Sequence, residues 1–339
     1  MPNWNLLRCP SCTQKGDLSD GHWVCSHCGK SYPRYGNVID FRISGARLDL
    51  SFAHLDAAAK EQERIDRALS LSRTGSLADM VRNYFSEFPT SDSIEQGEGK
   101  TLLCAETTAQ YWLLLIAQAM PLVDLASRGH SVFLEVGCGT AGLTRALGRD
   151  FATVVAMDAD IDRMMLAQKA CEEAGVKNAL LVCAYGEQMP FAPGTFDLIS
   201  AVEVLEHVTS QEQFLMSIHT ALRPGGYLFL TTPNRFSVGL EPHVALWGVG
   251  FLPRRWMNSY VQFRIGLPYE GKRNLSFWEL KRLLKRSFGQ NVSFYAAHFQ
   301  SRSRIARIFH RLLQVPVLGS ALHLIDTVHI VAAWKATGA

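Results

Sequence analysis

The stretch "VFLEVGCGTAGLTRAL" (132–147) decides how this 339-residue chain is read. An apolar run that reads as a strand leads into Gly137, Gly139 and Gly142, spaced G-x-G-x-x-G, and a helical pattern follows. Glycines at these places let a ligand approach the backbone closely, because a Cβ would collide with it. Alone, the pattern suits the pyrophosphate of a dinucleotide or a cofactor that carries no phosphate. Hydride-transfer enzymes usually place an apolar residue two before the first glycine; here that place holds Glu135. A second strand ends in "VVAMDAD", which puts Asp158 where a carboxylate accepts hydrogen bonds from both ribose hydroxyls. Asp158 supports a nucleoside without choosing between the two cofactor types.

Outward from this stretch, strand-like and helix-like segments alternate. Strands are expected at 132–136, 153–157, 179–183, 196–202, 227–232, 291–298 and 327–335, with helices at about 141–149, 161–174, 210–222, 276–288 and 302–313. "SFWE" (276–279) is a capping box that opens one of these helices. Such alternation predicts an α/β fold, a parallel sheet with helices on both faces.

The downstream segments separate the cofactors. "MPFAPGTFDLISAVEVLEHV" (189–208) and "LRPGGYLFLTTPN" (222–234) follow in the order found in class I S-adenosylmethionine (SAM)-dependent methyltransferases. Residues 131–339 resemble that family, of the methyltransferase type 11 kind. The resemblance implies a Rossmann-like, seven-stranded, doubly wound sheet and SAM as cofactor. It implies cofactor contacts from Glu135, Gly137, Cys138, Gly139, Gly142, Asp158, Ala159, Tyr185, Gly186, Glu187 and Glu203. Glu135 would position the loop and the sulfonium-side amine, and Asp158 would hold the ribose. One departure stands out: where the family commonly has an Asp touching the adenine amine, "AYGEQMPF" has Tyr185. Its hydroxyl or ring face is the substitute, with Glu187 and Gln188 nearby.

Methyl transfer from a sulfonium asks mainly for alignment, and a hydroxyl acceptor also needs a base. In "EVLEHV", Glu203, Glu206 and His207 stand at i, i+3 and i+4, the spacing that brings side chains onto one face of a helical turn. His207 and His243 are the candidate bases, with Glu203 beside them. The same cluster could hold a divalent ion, as in the similar ubiquinone-pathway O-methyltransferases, or simply brace the fold. "EPHVALWGVGFLPRRW" (241–256) lies in an insertion at about 234–275, where family members carry substrate-binding elements. It offers Glu241, His243, Trp247, Arg254, Arg255 and Trp256 to an acceptor. Aromatics beside arginines suit a sugar ring, a phosphate or a nucleobase.

Cys9, Cys12, Cys25 and Cys28 form C-x2-C-x12-C-x2-C, and Cys104, Cys138, Cys171 and Cys183 are scattered. Two close hooks of thiolates suit a tetrahedral zinc ion. A disulfide framework is the competing reading, disfavoured because "MPNWNLLRCP" lacks the features of a secretory signal. Residues 1–43 thus read as a zinc ribbon whose metal would be its core. The "CPSC … CSHCGKSYPRYGNVIDF" cadence resembles the small zinc-ribbon family of tRNA and protein methyltransferase activators. Residues 44–130 read as a helical linker or cap, with "SLADMVRNYFSEF" (76–88) amphipathic, and residues 131–339 as the methyltransferase domain.

Composition is that of a globular protein, 47% apolar and 19% charged. No apolar run reaches the roughly 18 to 20 residues of a membrane-spanning helix, and a cytoplasmic setting is expected from the reduced thiols. Residues 241–339 hold 14 Lys/Arg against 4 Asp/Glu, so the overall charge of +3 is unevenly placed. Three functions compete. The first is O- or N-methylation of a small-molecule or glycan acceptor. The second is methylation of an rRNA or tRNA base, with the ribbon and the basic third holding RNA. The third is a non-catalytic scaffold.

Overall fold

The computed structural model describes residues 3–42, 58–87, 109–117, 131–295, 324 and 328–337, and four short strands open it. They are β1 (Gly16–Ser19), β2 (His22–Cys25), β3 (Ser31–Tyr35) and β4 (Val38–Asp40), an antiparallel meander joined by tight turns. Three helices follow: α1 (Ala58–Thr74), α2 (Leu77–Glu87) and α3 (residues 109–117). The amphipathic stripe of 76–88 is realised in α2, which turns Met80 and Val81 into the core.

Five strands then alternate with helices: β5 (Val132–Val136), α4 (Gly142–Leu147), β6 (Thr153–Asp158), α5 (Ile161–Glu173), β7 (Ala179–Cys183), β8 (Phe196–Val202), α6 (Gln211–Ala221) and β9 (Leu222–Pro233). The five pair in parallel in the order β7-β6-β5-β8-β9. The chain continues through a β10 (Leu240–Glu241) and β11 (Leu246–Trp247) hairpin, α7 (Arg254–Ile265), α8 (Phe277–Phe288), β12 (Val292–Tyr295) and β13 (Val328–Trp334). The capping box at the start of α8 forms as expected, with Ser276 and Glu279 each bonding the other's backbone N–H.

The expectation of a wholly parallel sheet needs correction. β13 inserts between β9 and β12 and runs antiparallel to both, so the sheet is mixed. The roughly thirty residues between β12 and β13 are long enough for a crossover in either direction, so the direction is set by the pairing with β9 and β12 and not by the length of the connection. The seven expected strands are all present, in the order β7-β6-β5-β8-β9-β13-β12. Of the expected helices, 302–313 lies outside the described residues.

The sheet does not stop at seven strands. β4 pairs in parallel with β7, so β1 to β4 extend it to eleven. The strand faces bury two cores. On one, Leu134, Val155 and Val182 pack with Phe214 and Leu215 of α6, Leu280 and Leu284 of α8, and Trp23 and Tyr32 of the meander. On the other, Phe133, Val154 and Leu181 pack with Ile65 of α1, Val81 of α2, Ile116 of α3 and Met164 of α5. Strands covered on both faces are mostly apolar on both, which is why 179–183, and 132–136 apart from Glu135, show no alternation.

Trp23 is fully buried, with ring centroids 5.9 Å from Tyr32 and 5.0 Å from Phe41. Replacing it with alanine removes a large side chain from a core shared by the meander and the main sheet. Trp23→Ala is expected to cost about 3–5 kcal/mol in equilibrium denaturant unfolding. A loss under about 1 kcal/mol would show that this core can collapse around the gap.

Candidate cofactor and proton-transfer site

The strand order reverses at β5, which has β6 on one side and β8 on the other. Ligands of open α/β sheets bind beyond the carboxyl ends of the strands at such a switch point. The glycine loop begins there. Gly137 and Gly139 take φ of +67° and +52°, and Ala141 joins them at +57°, a left-handed conformation that is costly for a residue with a Cβ. A Cβ on Gly139 would project into open space, whereas one on Gly137 would strike Val204. The loop therefore leans against the "EVLEHV" turn on one side and is open on the other, as a cradle for a cofactor requires.

Glu135 sits beneath the loop. Its carboxylate accepts from Leu143 N at 3.1 Å, Thr144 N at 2.7 Å and Thr144 Oγ1 at 2.7 Å. These are the free N–H groups of the first turn of α4, so Glu135 both caps that helix and meets its positive end. Burial pushes its pKa up to about 7 against the pull of the Thr144 bonds. Its oxygens hold the loop from below. Asp158, at the end of β6, is partly exposed and accepts from Gly139 N and Asp160 N, each at 3.0 Å. A carboxylate has about four lone-pair directions, so two remain for further donors. Cys138 is buried, with Sγ 3.5 Å from Met164 Sδ, and Gly142 opens α4. Ala159, Tyr185 and Gly186 are half-buried along the same edge, Tyr185 as the residue before a short 3-10 turn. Glu187 is turned inward and accepts from Thr209 N and Ser210 N, so it anchors the start of α6. Gln188 is exposed.

The spacing of Glu203, Glu206 and His207 pointed to a helical turn, and the structure corrects this. Glu203 adopts φ +54°, the chain bends sharply out of β8, and a single His207 N to Val204 O bond of 2.9 Å closes the turn. The bend carries Glu203 to Thr231, whose hydroxyl donates to it at 2.9 Å, and Glu206 to the Thr232 hydroxyl at the same distance. Both threonines belong to β9. Glu206 is 1% exposed, its Oε1 has no hydrogen-bond partner among the described residues, and burial beside Glu203 raises its pKa to about 8.

His207 faces His243 from the insertion, Nε2 to Nε2 at 3.2 Å. His243 Nδ1 lies 2.6 Å from Glu241 Oε1. Glu241 is a hub: it also accepts from Tyr269 OH at 3.1 Å, Asn274 Nδ2 at 3.2 Å, and the backbone N–H groups of His243 and Val244. Burial alone would raise its pKa, but the bond from His243 and that ring's charge outweigh it, and the carboxyl lies below its ordinary value. An ionised carboxylate only accepts, so His243 donates its Nδ1–H to Glu241 and presents Nε2 toward His207. Burial, with the nearby charge of Lys272, lowers the His207 pKa to about 4, so this ring is neutral near pH 7.

The six insertion residues thus divide. Glu241 and His243 join the turn after β8, and Glu241 is buried in its cage. Arg254 instead bonds Glu279 and Asn274 O, Arg255 stacks over Trp256 at 5.2 Å, and Trp247 donates to Val238 O. Trp247 and Trp256 are 63% and 52% exposed. Tyr269 and Asn274 escaped the sequence reading, because nothing local marks them: each meets Glu241 across about thirty residues of chain.

Among the described residues, two groups bring metal-type ligand atoms within 4.8 Å of one another: Cys9, Cys12, Cys25 and Cys28, and Glu206, His207 and His243. In the first, Sγ atoms pair at 3.7 Å (Cys9–Cys28) and 3.4 Å (Cys12–Cys25). Four sulfurs about 2.3 Å from a tetrahedral zinc would sit about 3.8 Å apart, so the thiols fit that ion. Cys138, Cys171 and Cys183 are buried elsewhere, and Cys104 lies outside the described residues.

Residues 134–230 match a family model described as a methyltransferase domain. The chain is 32% identical over 154 residues to a ubiquinone biosynthesis O-methyltransferase of Parvibaculum lavamentivorans, 44% of this chain and 57% of that protein. It is 37% identical over 105 residues to the mitochondrial enzyme of the same name from Mus musculus, 30% of this chain and 28% of that one. The match thus spans less than two thirds of these relatives. Among solved structures, geranyl diphosphate C-methyltransferase from Streptomyces coelicolor aligns over 66% of this chain and 78% of its own, with 14% identity and a TM-score of 0.42. Residues 134–230 are thus similar to a methyltransferase domain, and they lie in an open α/β sheet whose strand order reverses at β5.

Gly137→Ala is expected to push Val204 aside and strain the loop. With a cost of about 1–3 kcal/mol for a left-handed non-glycine residue, binding of S-adenosylhomocysteine should weaken about tenfold or more. Unchanged affinity in a calorimetric titration would show that the loop does not shape the cofactor site.

Proposed function

We propose that this chain is a SAM-dependent methyltransferase that methylates an oxygen of a small-molecule acceptor, with His243 as the base. The observation that carries this reading is the Glu241–His243–His207 array at the lip of the glycine loop. Gly137 touches the turn that holds His207, so the array and the cofactor cradle share a wall. SAM would be held by the loop from Gly137 to Gly142 and by Asp158, and it would supply a methyl group on a sulfonium whose sulfur leaves readily as a neutral thioether.

The residues do the rest. Glu241 fixes the His243 tautomer and stabilises the imidazolium once the ring takes the acceptor's hydroxyl proton at Nε2. Tyr269 and Asn274 hold Glu241 still, so the base is preorganised. His207 stays neutral and meets His243 Nε2 at 3.2 Å, and the acceptor's hydroxyl takes its place at that nitrogen before the proton is transferred. Glu203 borders the same space, and the exposed Trp247, Arg255 and Trp256 are an outer surface for the acceptor. The relatives are named for an O-methyltransferase of ubiquinone biosynthesis, which supports a small oxygen acceptor over an RNA base, a glycan nitrogen or a scaffold role. Cys9, Cys12, Cys25 and Cys28 would hold zinc as a closed structural site.

Titration with S-adenosylhomocysteine tests the cofactor, and binding lost in Asp158→Ala would assign the ribose contact. His243→Ala should lower kcat about 100-fold, within the range of a general base, while S-adenosylhomocysteine affinity stays within about twofold. Glu241→Gln should do the same to a smaller degree, because an amide cannot stabilise the imidazolium. Equal turnover in both variants would remove His243 from the chemistry.

A further inference from the structure

The cysteine unit reaches the cofactor edge through strand register. Asp40 of β4 stands opposite Cys183 of β7, and Cys183 stands opposite Asp158 of β6. These three residues form one row across adjacent strands, about 4.8 Å apart from strand to strand. Phe41 N donates to Cys183 O at 2.8 Å, so the pairing runs one residue beyond β4. Arg42 follows, at the same lip of the sheet as Tyr185 and Asp160, each two residues past the row.

Arg42 is held rigidly there. Its Nε and Nη2 grip the Asp40 carboxylate at 3.0 and 2.7 Å, its Nη1 meets Glu61 of α1 at 2.9 Å, and the same Nη1 donates to Ala159 O at 3.4 Å. Ala159 is the residue after Asp158. The guanidinium therefore clamps the loop that presents Asp158, and a planar five-donor fork is suited to such a multi-sided grip.

A continuous set of contacts runs from Arg42 back to the thiols. Phe41 packs against Tyr32 and Trp23 with centroids 4.9 and 5.0 Å apart, and Tyr32 OH lies 3.3 Å from Cys9 Sγ. Tyr32 is on β3, Trp23 on β2, and Cys25 ends β2 among the four thiols. A metal that fixes those thiols fixes the rings on which Phe41 rests.

We propose that zinc at the four-cysteine site and a purine-nucleoside cofactor at the glycine loop are thermodynamically linked, with Arg42 as the positioning residue that joins them. The linkage rests on the proposed cofactor reading. Binding free energies couple reciprocally, so whatever zinc does to cofactor affinity, the cofactor does to zinc affinity by the same factor. Through Arg42 each ligand orders what the other needs, and the coupling is positive.

The test uses the full zinc-loaded chain. Zinc retention is measured by competition with a chromogenic chelator, with and without saturating S-adenosylhomocysteine, and S-adenosylhomocysteine affinity is measured by calorimetry. The expected result is zinc retention about fivefold or more tighter with the ligand, the lower end of typical coupling. In Arg42→Met, both ligands should still bind and the factor should fall toward one. Arg42→Lys, which keeps the charge but loses the fork, should also lose most of it, a result that a charge effect or general destabilisation would not give. Wild-type zinc retention unchanged by bound S-adenosylhomocysteine overturns the linkage alone, whether or not the variants fold. Coupling that survives in either Arg42 variant overturns the role of Arg42. Absence of S-adenosylhomocysteine binding overturns the cofactor reading and the linkage with it.

Discussion

One buried carboxylate sets the geometry on which the site depends. Glu135 lies under the glycine loop and takes the first N–H groups of α4 on its two oxygens. Those groups have no partner within the helix, so a loop without Glu135 would leave them buried and unsatisfied. Because α4 is only six residues long, its position follows the cap more than its own propensity. The cap places Gly137, Gly137 touches Val204, and Val204 accepts the bond that closes the turn carrying His207. A displacement at Glu135 is passed along this series to the histidine pair.

Most of the sheet was legible in the sequence because its strands are mainly apolar and separated by helical periodicity. The glycine spacing and the Ser276–Glu279 box each acted within a few residues, where local chemistry decides the outcome. The direction of β13 was not legible: the residues of a strand do not record which neighbour it will find. The turn after β8 misled for a different reason. Residues 203–207 have helical spacing, but Glu203 goes left-handed, and a non-glycine residue in that region is not signalled by composition. The cage around Glu241 was invisible because Tyr269 and Asn274 arrive from the far end of the insertion.

The two carboxylates nearest the histidines are driven in opposite directions. Glu206 is buried beside Glu203 with one oxygen unpartnered, and its pKa rises. Glu241 is nearly as buried, yet it collects four N–H donors and a phenol hydroxyl, and its pKa falls. Desolvation acts on both; hydrogen bonding to the charged form decides between them. The result is a neutral acid and an ionised carboxylate flanking one imidazole pair. Separation of this kind assigns proton-handling roles in active sites. It favours Glu241 over Glu206 as the partner that stabilises a charged His243.

The parallel pairing of β4 with β7 changes what the cysteine unit is for. A bare β7 would present an unpaired edge, and such edges invite association with other chains. Three residues of β4 cover it, and their register leaves the chain at Arg42, on the carboxyl side where ligands bind. A small unit that only stabilised itself around a metal could dock anywhere on the surface. This one also bonds the main domain on a second side, where Arg8 N meets Pro190 O and Ala192 N meets Leu6 O. Both attachments bracket the 183–192 segment that carries Tyr185 and Gly186. The unit that holds the thiols therefore also borders the carboxyl edge of the sheet at Tyr185 and Gly186.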